Sequence, residues 1–262
     1  MALVLTEEQQ LLRDTATQFF QERVPISNLR NLRDTKDPSG FDLSVWKEMA
    51  DLGFAGILTP EKYGGTDFGP VGLGLVLEQS GRTLAASPLI STVLLCGSIV
   101  QLAGSAPQRQ EILPTIAAGE TIMALALEEG PHHNPTHIAT TAKAGGAGFR
   151  LSGKKTFVLD GHVANKLIVA ARTSGNTDDK SGITLFIVDP TADGVSITRT
   201  LMVDSRNAAN ISFDNVTVTE DAVLGSVDGG NDVLEQVLDI ARIGISAEML
   251  GAIQEVFDTA VE

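Results

Sequence analysis

The spacing of apolar residues changes twice along the chain, and this change constrains the fold more than any other feature. Up to about residue 120, apolar residues recur every three or four positions, which is typical of amphipathic helices. From there to about residue 225, short apolar runs alternate with Gly, Asn and Asp, which indicates strands joined by turns. The helical spacing then returns. The sequence therefore predicts an α+β protein with three domains, at residues 1–120, 121–225 and 226–262.

The first domain is predicted to hold five helices. Thr6 followed by two glutamates indicates the start of the first helix, and four apolar residues then share one of its faces. These residues are Leu12, Ala16, Phe19 and Phe20. The segment "FDLSVWKEMADLG" predicts a second helix that ends at Gly53. The polar stretch "RNLRDTKDPSG" between these helices predicts an exposed loop.

Four features bear on where the protein works. The uncharged stretch from Ala85 to Gln108 contains proline, glycine and hydroxyl residues, so it predicts a buried helix and not a membrane span. The net charge of −14 argues against partners such as nucleic acid or an anionic membrane. The acidic N-terminus predicts no signal peptide, and the single cysteine, Cys96, fits a reducing compartment. We therefore expect a cytoplasmic protein.

The middle domain is predicted to hold seven strands, and their short length and regular turns favour an antiparallel barrel or sandwich. Asp160-Gly161 lies between the apolar run that ends at Leu159 and the run "KLIVAAR". Asp-Gly between two apolar runs is a strong signal for a turn, so we expect a hairpin here. After the middle domain, a long helix is predicted to reach Glu262 without a Gly or Pro stop, which suggests that the chain ends inside an element.

Five segments, spread in order over the chain, resemble motifs of the acyl-CoA dehydrogenase family. They are similar to the family's "PEEYGG", "EExGR", "ALTEP", "WITNG" and "LDxxR" motifs. The matching segments are "TPEKYGG", "VLEQSGRT", "ALALEEGPHHNP", "FRLSGKKTFVLDGHVANKLIVAART" and "VLGSVDGGNDVLEQVLDIARIGISAEMLGAIQ". The resemblance implies a helical N-terminal domain, a β-barrel middle domain and the start of a helical C-terminal domain that is truncated here.

The resemblance also implies a reaction. In the family, FAD lies between the middle and C-terminal domains, and an acyl-CoA thioester binds against the flavin. A carboxylate removes the α-proton while the β-hydrogen leaves as hydride to flavin N5. Electrons then pass to an electron-transfer flavoprotein. The chain is thus expected to act as an oxidoreductase of lipid metabolism, of the β-oxidation type, and to form a homo- or hetero-oligomer such as a tetramer.

The match to the family places six residues at the flavin: Leu125, Leu127, Glu128, Phe157, Val158 and Leu159. Phe157 stands where the family has tryptophan, so an aromatic surface is kept. Leu159 and Glu128 each replace a threonine, and Leu159 removes the hydroxyl beside flavin N5. Contacts through main-chain groups do not depend on these side chains. The alternative, judged from residue types alone, is that residues 157–159 form a buried strand on the barrel core.

Four further residues match positions that contact acyl-CoA in the family: Asn134, Leu238, Asp239 and Arg242. The alternative for Asp239 and Arg242 is a surface ion pair, since they lie three positions apart on a helix. No catalytic base is identified. Some members carry it just before the arginine of "LDxxR", where this chain has Ala241; in most it comes from a part of the family's C-terminal domain that is absent here. Glu128 and Glu129 are weaker alternatives.

No metal site is predicted, because His132, His133 and His137 are irregularly spaced and no acid or cysteine completes a set. Two functional hypotheses remain. The first is an FAD-dependent acyl-CoA dehydrogenase. The second is a non-catalytic or flavin-deficient partner subunit of a heteromeric dehydrogenase, as in steroid or lipid catabolism, and it is suggested by Glu128, Leu159 and Ala241. A third, weaker hypothesis is other chemistry on a CoA thioester or a nitroalkane.

Overall fold

The computed structural model describes residues 4–261, and its first part is helical. The helices are α1 (Glu7–Arg23), α2 (Ile26–Thr35), α3 (Leu43–Asp51), α4 (Gly69–Arg82), α5 (Ser98–Ala103) and α6 (Ala106–Ala117). A π-helix, Leu89–Gly97, runs directly into α5. Thr6 caps α1 as predicted, because its hydroxyl accepts a hydrogen bond from Gln9 N at 3.2 Å. The predicted helices are thereby confirmed.

The predicted exposed loop from Arg30 to Gly40 is wrong over its first half. Helix α2 continues to Thr35, because Leu32 is buried and anchors an otherwise polar segment. Lys36 then takes a left-handed conformation, with φ of 54°, and ends the helix. Only the four residues after it form the loop, which Asp37 closes by accepting hydrogen bonds from the Ser39 and Gly40 amides.

The uncharged stretch lies in the centre of the helical domain, as predicted. Its π-helix is buried along most of its length. The Thr92 hydroxyl donates to Met123 O at 3.0 Å and lies 2.9 Å from Met123 N, so it joins this helix to the first strand of the sheet. Within the described part of the chain, no helix combines the length and apolar character needed to cross a membrane.

The middle part of the chain forms one eight-stranded sheet. The strands are β1 (Met123–Ala126), β2 (Thr141–Gly145), β3 (Gly148–Leu159), β4 (Lys166–Arg172), β5 (Ile183–Val188), β6 (Val195–Leu201), β7 (Asn207–Thr219) and β8 (Val223–Leu224). Their order is β6-β7-β3-β2-β4-β5-β8, with β1 paired to β4. The pairs β1–β4 and β2–β4 are parallel, so the sheet is mixed and not purely antiparallel as the turn pattern suggested.

The hairpin predicted at Asp160-Gly161 is also wrong. Asp160 does take the left-handed conformation typical of a turn, with φ of 54°. However, β3 pairs with β2 and β7, whereas β4 pairs with β1, β2 and β5. The turn therefore ends β3, and the chain crosses to a different part of the sheet before β4 begins.

The sheet curls around its own hydrophobic core. Phe149 on β3 and Phe186 on β5 are separated by two strands in the sheet order, yet their ring centroids lie 5.1 Å apart. Such contact requires a curved sheet, which agrees with the predicted barrel-like domain. The other face of β1, β4 and β5 packs on the helical core.

The final helix, α7 (Gly230–Val261), packs against α4 and the π-helix. The two helices α4 and α7 meet at glycines: a Cβ atom on Gly251 would lie 1.8 Å from Glu78 O, and one on Gly81 would lie 2.0 Å from Glu248 O. The opposite side of α7 is exposed and apolar. The predicted long helix is confirmed, while the domain boundaries near residues 120 and 225 stay predictions.

Candidate functional site

The end of β1 lies beside the second half of β3. Leu127 O accepts a hydrogen bond from Lys155 Nζ at 2.9 Å, and Glu128 O accepts one from Thr156 N at 2.8 Å. These two bonds bring together the two segments that the sequence placed at a common site, residues 125–128 and 157–159. The candidate site is the surface where these segments meet.

A buried ion pair holds this junction. Lys155 is only 1% exposed, and its ammonium lies 2.6 Å from the Glu129 carboxylate. The amides of Ala139 and Thr140 also donate to Glu129, at 2.7 and 3.0 Å. Burial alone would raise the pKa of Glu129, but the charge and hydrogen bonds of Lys155 and Thr140 outweigh it and lower the pKa. Glu129 is thus a weak base with a structural role.

Glu128 connects the junction to the loop that follows. Its carboxylate lies 2.7 Å from His133 Nδ1 and accepts a hydrogen bond from Asn134 N at 3.0 Å. Both carboxylate oxygens are therefore engaged with the loop. This arrangement positions Asn134, whose side-chain oxygen accepts a hydrogen bond from the Thr136 hydroxyl at 3.2 Å.

Phe157 is the most unusual residue of the site. The pairing of β3 with β7 shifts register between Lys155 and Val158, so Thr156 and Phe157 form a bulge. Phe157 has φ of +56°, a left-handed conformation that is an outlier for a bulky residue. Its side chain is 56% exposed. The bulge therefore presents an aromatic ring on the surface, next to the end of β1.

The two residues after Phe157 face apolar surroundings. Val158 is fully buried in the core of the curled sheet, so the buried-strand alternative applies to it. Leu159 packs against the helical core. Their main chains are partly occupied, since Val158 O accepts from Gly161 N at 3.0 Å and Leu159 is paired with Ala208. Leu125 is buried within β1 and pairs with Ile168.

A groove of about 350 Å³ lies between α7 and the loop after Asn134. Leu238, Asp239 and Arg242 line it from α7, while Pro135 and Thr136 line it from the loop. Three of the four residues predicted to contact acyl-CoA thus line one groove, whereas Asn134, next to Pro135 in the chain, lines a separate pocket with Glu128. Asp239 and Arg242 also form the ion pair that was their alternative role.

Comparison with known proteins decides the family. The family model described as "Acyl-CoA dehydrogenase, N-terminal domain" matches residues 6–120, and that described as "Acyl-CoA dehydrogenase, middle domain" matches residues 124–216. The chain belongs to the acyl-CoA dehydrogenase family. The resemblance inferred from its motifs is confirmed, as are the helical N-terminal domain, the middle sheet domain and the start of the helical C-terminal region.

Individual proteins agree with this assignment. The chain is 30% identical over 267 residues to the 3-(aryl)acrylate reductase of Clostridium sporogenes (strain ATCC 15579), covering 99% of this chain and 69% of that protein. It is 30% identical over 273 residues to the mitochondrial isovaleryl-CoA dehydrogenase of Pongo abelii, covering 98% and 62%. A solved variant of the Tcur3481-Tcur3483 steroid ACAD superposes with a TM-score of 0.82 at 31% identity, covering 95% and 64%.

The chain thus spans about two thirds of the length of the relatives that it matches. Some members of the acyl-CoA dehydrogenase family carry the catalytic base at the position of Ala241. Here it is buried in the helical core and brings no ionisable group. Among residues 4–261, no three His, Cys, Asp or Glu side chains are grouped so that they could hold a metal ion.

The residues at the junction offer an aromatic surface for a flavin ring, but they lack a side-chain hydrogen-bond donor at Leu159. The exposed ring of Phe157 provides a flat surface of the type on which an aromatic heterocycle packs. A strained residue is kept where its position is needed, so the outlier backbone of Phe157 points to function. Leu159, in contrast, brings no hydrogen-bond donor on its side chain. We judge that these residues fit the ring of FAD.

Sequence reasoning missed two groups near the site. Lys155 lies four residues after the buried Leu151 on β3, so the alternation of the strand predicts that both point to the same side. Asp160 gave only a turn signal. Burial raises its pKa to about 6, against the effects of a hydrogen bond from Ser91 at 2.6 Å and the charge of Arg206. Asp160 also lines a small cavity with Leu159.

Proposed function

We propose that this chain forms the FAD site and much of the acyl-CoA groove of an acyl-CoA dehydrogenase that introduces an α,β double bond into a CoA thioester. The exposed Phe157 carries this proposal. Left-handed backbone at a bulky residue costs about 1–2 kcal/mol, and the surrounding structure holds it there while leaving more than half of the ring uncovered. A bound aromatic ring explains why such an arrangement is kept.

Each part of the site has a role in this proposal. FAD, when bound, supplies the acceptor for the β-hydrogen. Phe157 presents the surface for its ring, and the Lys155–Glu129 pair fixes the strand that carries Phe157. Leu127, Glu128, Val158 and Leu159 border the ring, with Leu125 behind them. The proposed assignment of these residues rests on the hydrogen bonds that join the end of β1 to the second half of β3.

The groove between α7 and the Asn134 loop holds the thioester in this proposal. Leu238 offers apolar surface, whereas Asp239 and Arg242 offer polar contacts. The carboxylates of the groove are engaged in ion pairs, Asp239 with Arg242 and Glu235 with Lys180, so they are poorly suited to remove a proton. We place the base outside the described residues. Electrons pass to an electron-transfer flavoprotein, and the protein works as an oligomer in the cytoplasm.

The second candidate is a partner subunit of a heteromeric dehydrogenase. Two observations favour it: Leu159 lacks the hydroxyl expected beside the flavin, and the buried Ala241 offers no base. The similarity to a steroid ACAD named for two components, Tcur3481 and Tcur3483, supports this candidate and a steroid-like substrate. As a partner subunit, the chain would stabilise the complex or help to bind its ligands, and another subunit would carry the catalytic residues.

The visible spectrum of the purified chain separates the two candidates. The chain is mixed with FAD, unbound FAD is removed, and the absorbance of bound flavin is recorded before and after adding an acyl-CoA. The dehydrogenase proposal expects flavin near one per chain and bleaching by an acyl-CoA. A colourless chain that gains flavin only with a second subunit would overturn it and support the partner-subunit candidate.

A further inference from the structure

A small cavity lies where the helical domain meets the end of β3. Its volume of about 30 Å³ is room for one or two groups of the size of water. Phe41, Ile90 and Leu159 give it apolar walls, whereas its polar walls come from Ser87, Asp160, Arg206 and Asn207. The cavity therefore suits the end of a molecule that is apolar along its length and polar at its tip.

Asp160 presents one unused carboxylate oxygen. Oδ2 accepts a hydrogen bond from the Ser91 hydroxyl at 2.6 Å. Among residues 4–261, Oδ1 has no hydrogen-bond donor, and it is not one of the fully buried polar atoms that lack a partner. The left-handed backbone of Asp160, which ends β3, and the bond to Ser91 fix the direction of the carboxyl group. Its partial burial, which raises its pKa, shows that little water competes for it.

Arg206 presents donors on the other side. One of its terminal nitrogens donates to Glu248 of α7 at 2.7 Å, which balances its charge. In the described part of the chain, the other N–H groups of its guanidinium have no acceptor. It forms no ion pair with Asp160 within residues 4–261, although its charge lowers the pKa of that carboxyl. The two side chains thus share the cavity without satisfying each other.

This pattern selects the chemistry of the occupant. An anionic group would face the carboxylate of Asp160, and a cationic group would face the guanidinium of Arg206. A hydroxyl meets both, because it donates one hydrogen bond and accepts another. A ketone oxygen accepts but cannot donate, so it would leave Asp160 Oδ1 without a partner.

We propose that Asp160 and Arg206 select a CoA thioester whose acyl group carries a hydroxyl at its far end. The inference rests on the proposed function, since Leu159 forms both the wall of this cavity and the predicted edge of the flavin site. An acyl chain that passes the flavin edge at Leu159 then ends between Asp160 and Arg206. The two residues are specificity determinants in this proposal and take no part in the chemical step.

The test measures binding and does not require turnover. Pairs of CoA thioesters of equal chain length, with and without a terminal hydroxyl, are titrated calorimetrically into the FAD-loaded chain over a series of lengths. We expect the hydroxylated member to bind about tenfold more tightly at the length that reaches the cavity, as one hydrogen bond to a charged group allows. In Asp160→Asn the preference should disappear, because the amide oxygen accepts the bond from Ser91 and the amide nitrogen that then faces the cavity cannot accept a hydrogen bond from the hydroxyl.

The matched control is Asp67→Asn, because Asp67 is also left-handed, with φ of 48°, but is exposed and remote from this cavity. It should keep the tenfold preference. Asp160→Asn is expected to fold, since Asn tolerates this backbone and still accepts the bond from Ser91. Equal binding of both thioesters at every length, or a preference unchanged in Asp160→Asn, would overturn this inference alone. If neither thioester binds, the proposed function fails, and this inference fails with it.

Discussion

Replacing Phe157 with glycine separates the strain of the β3 bulge from the surface that the ring offers. Glycine adopts the left-handed backbone without penalty, so the substitution removes a strain of about 1–2 kcal/mol. It also removes the buried part of the ring. With 56% of the side chain exposed, about 90 Å² of a ring of about 200 Å² is buried, which contributes about 2 kcal/mol.

These two effects nearly cancel. The conformational entropy of glycine costs about another 0.5–1 kcal/mol, so the free energy of unfolding should fall by only about 1 kcal/mol. Truncating a buried ring, such as Phe186 in the core of the sheet, should cost about 3–5 kcal/mol. Phe157 is thus expected to be dispensable for folding, which is unusual for a phenylalanine in a strand.

Flavin binding should respond differently. The exposed part of the ring, about 110 Å², is worth up to about 2.5 kcal/mol if FAD covers it. Partial cover reduces this to about 1.5 kcal/mol, so the Kd for FAD should rise by about ten- to seventyfold. The matched control is Leu84→Gly: Leu84 is also exposed and left-handed, with φ of 53°, but lies on the helical domain away from the junction.

Two measurements check this prediction. Urea unfolding gives the change in stability, and a titration of FAD followed by flavin fluorescence gives the change in affinity. Both variants should lose similar stability, and only Phe157→Gly should lose affinity. Equal FAD affinity in the two variants would refute the role given to the ring. A stability loss above about 3 kcal/mol in Phe157→Gly would refute the estimate of strain.

Three further predictions concern the interior. Glu129→Gln leaves the buried Lys155 ammonium without its counter-charge, so urea unfolding should show a loss of about 3–5 kcal/mol. Asp160→Asn should stabilise the protein by about 1–3 kcal/mol near pH 8, and the gain should vanish near pH 4. The sign follows because the folded-state pKa of Asp160 is raised from 3.8 to about 6, so its ionised form destabilises the fold. Gly251→Ala should lower the melting temperature by several degrees, because its Cβ would lie 1.8 Å from a carbonyl oxygen of α4.

The chain offers a control for each of these changes. Glu235→Gln breaks an exposed ion pair and should cost less than about 1 kcal/mol. Asp67→Asn changes an exposed side chain and should alter the free energy of unfolding by less than about 0.5 kcal/mol. Gly74→Ala adds a methyl group on α4 at an ordinary contact distance of 3.8 Å, so it should stabilise the helix by about 1 kcal/mol. A control that changes as much as its partner would contradict the cause assigned to that partner.

Local patterns in the sequence predicted the elements but not their pairing. The alternation of apolar residues predicted β3 and β4. The Asp-Gly signal also predicted a turn at Asp160, and a turn is present there. The hairpin was wrong because pairing depends on segments far away: β3 takes β7 as its neighbour, about fifty residues later. The π-helix and the continuation of α2 were missed for a related reason, since buried contacts such as that of Leu32 override local polarity.

The sequence predicted which residues form the site but not how they are arranged in space. Motif order placed residues 125–128 and 157–159 together, and the structure brings them into contact. The exposure of Phe157 follows from a bulge in the β3–β7 register, which no local pattern encodes. The unused groups of Asp160 and Arg206 were also beyond the sequence, because only the pairing of β3 with β7 brings these two residues of the middle domain together.

The buried Lys155 has a consequence for folding errors. A one-residue slip of β3 would move every side chain to the opposite face of the sheet. The ammonium would then leave its carboxylate, while the neighbouring apolar residues would turn toward water. Such a mispaired chain loses several kcal/mol and cannot persist. Lys155, two residues before Phe157, therefore selects the correct register of β3. Phe157 is placed at the bulge by that register and does not itself determine it.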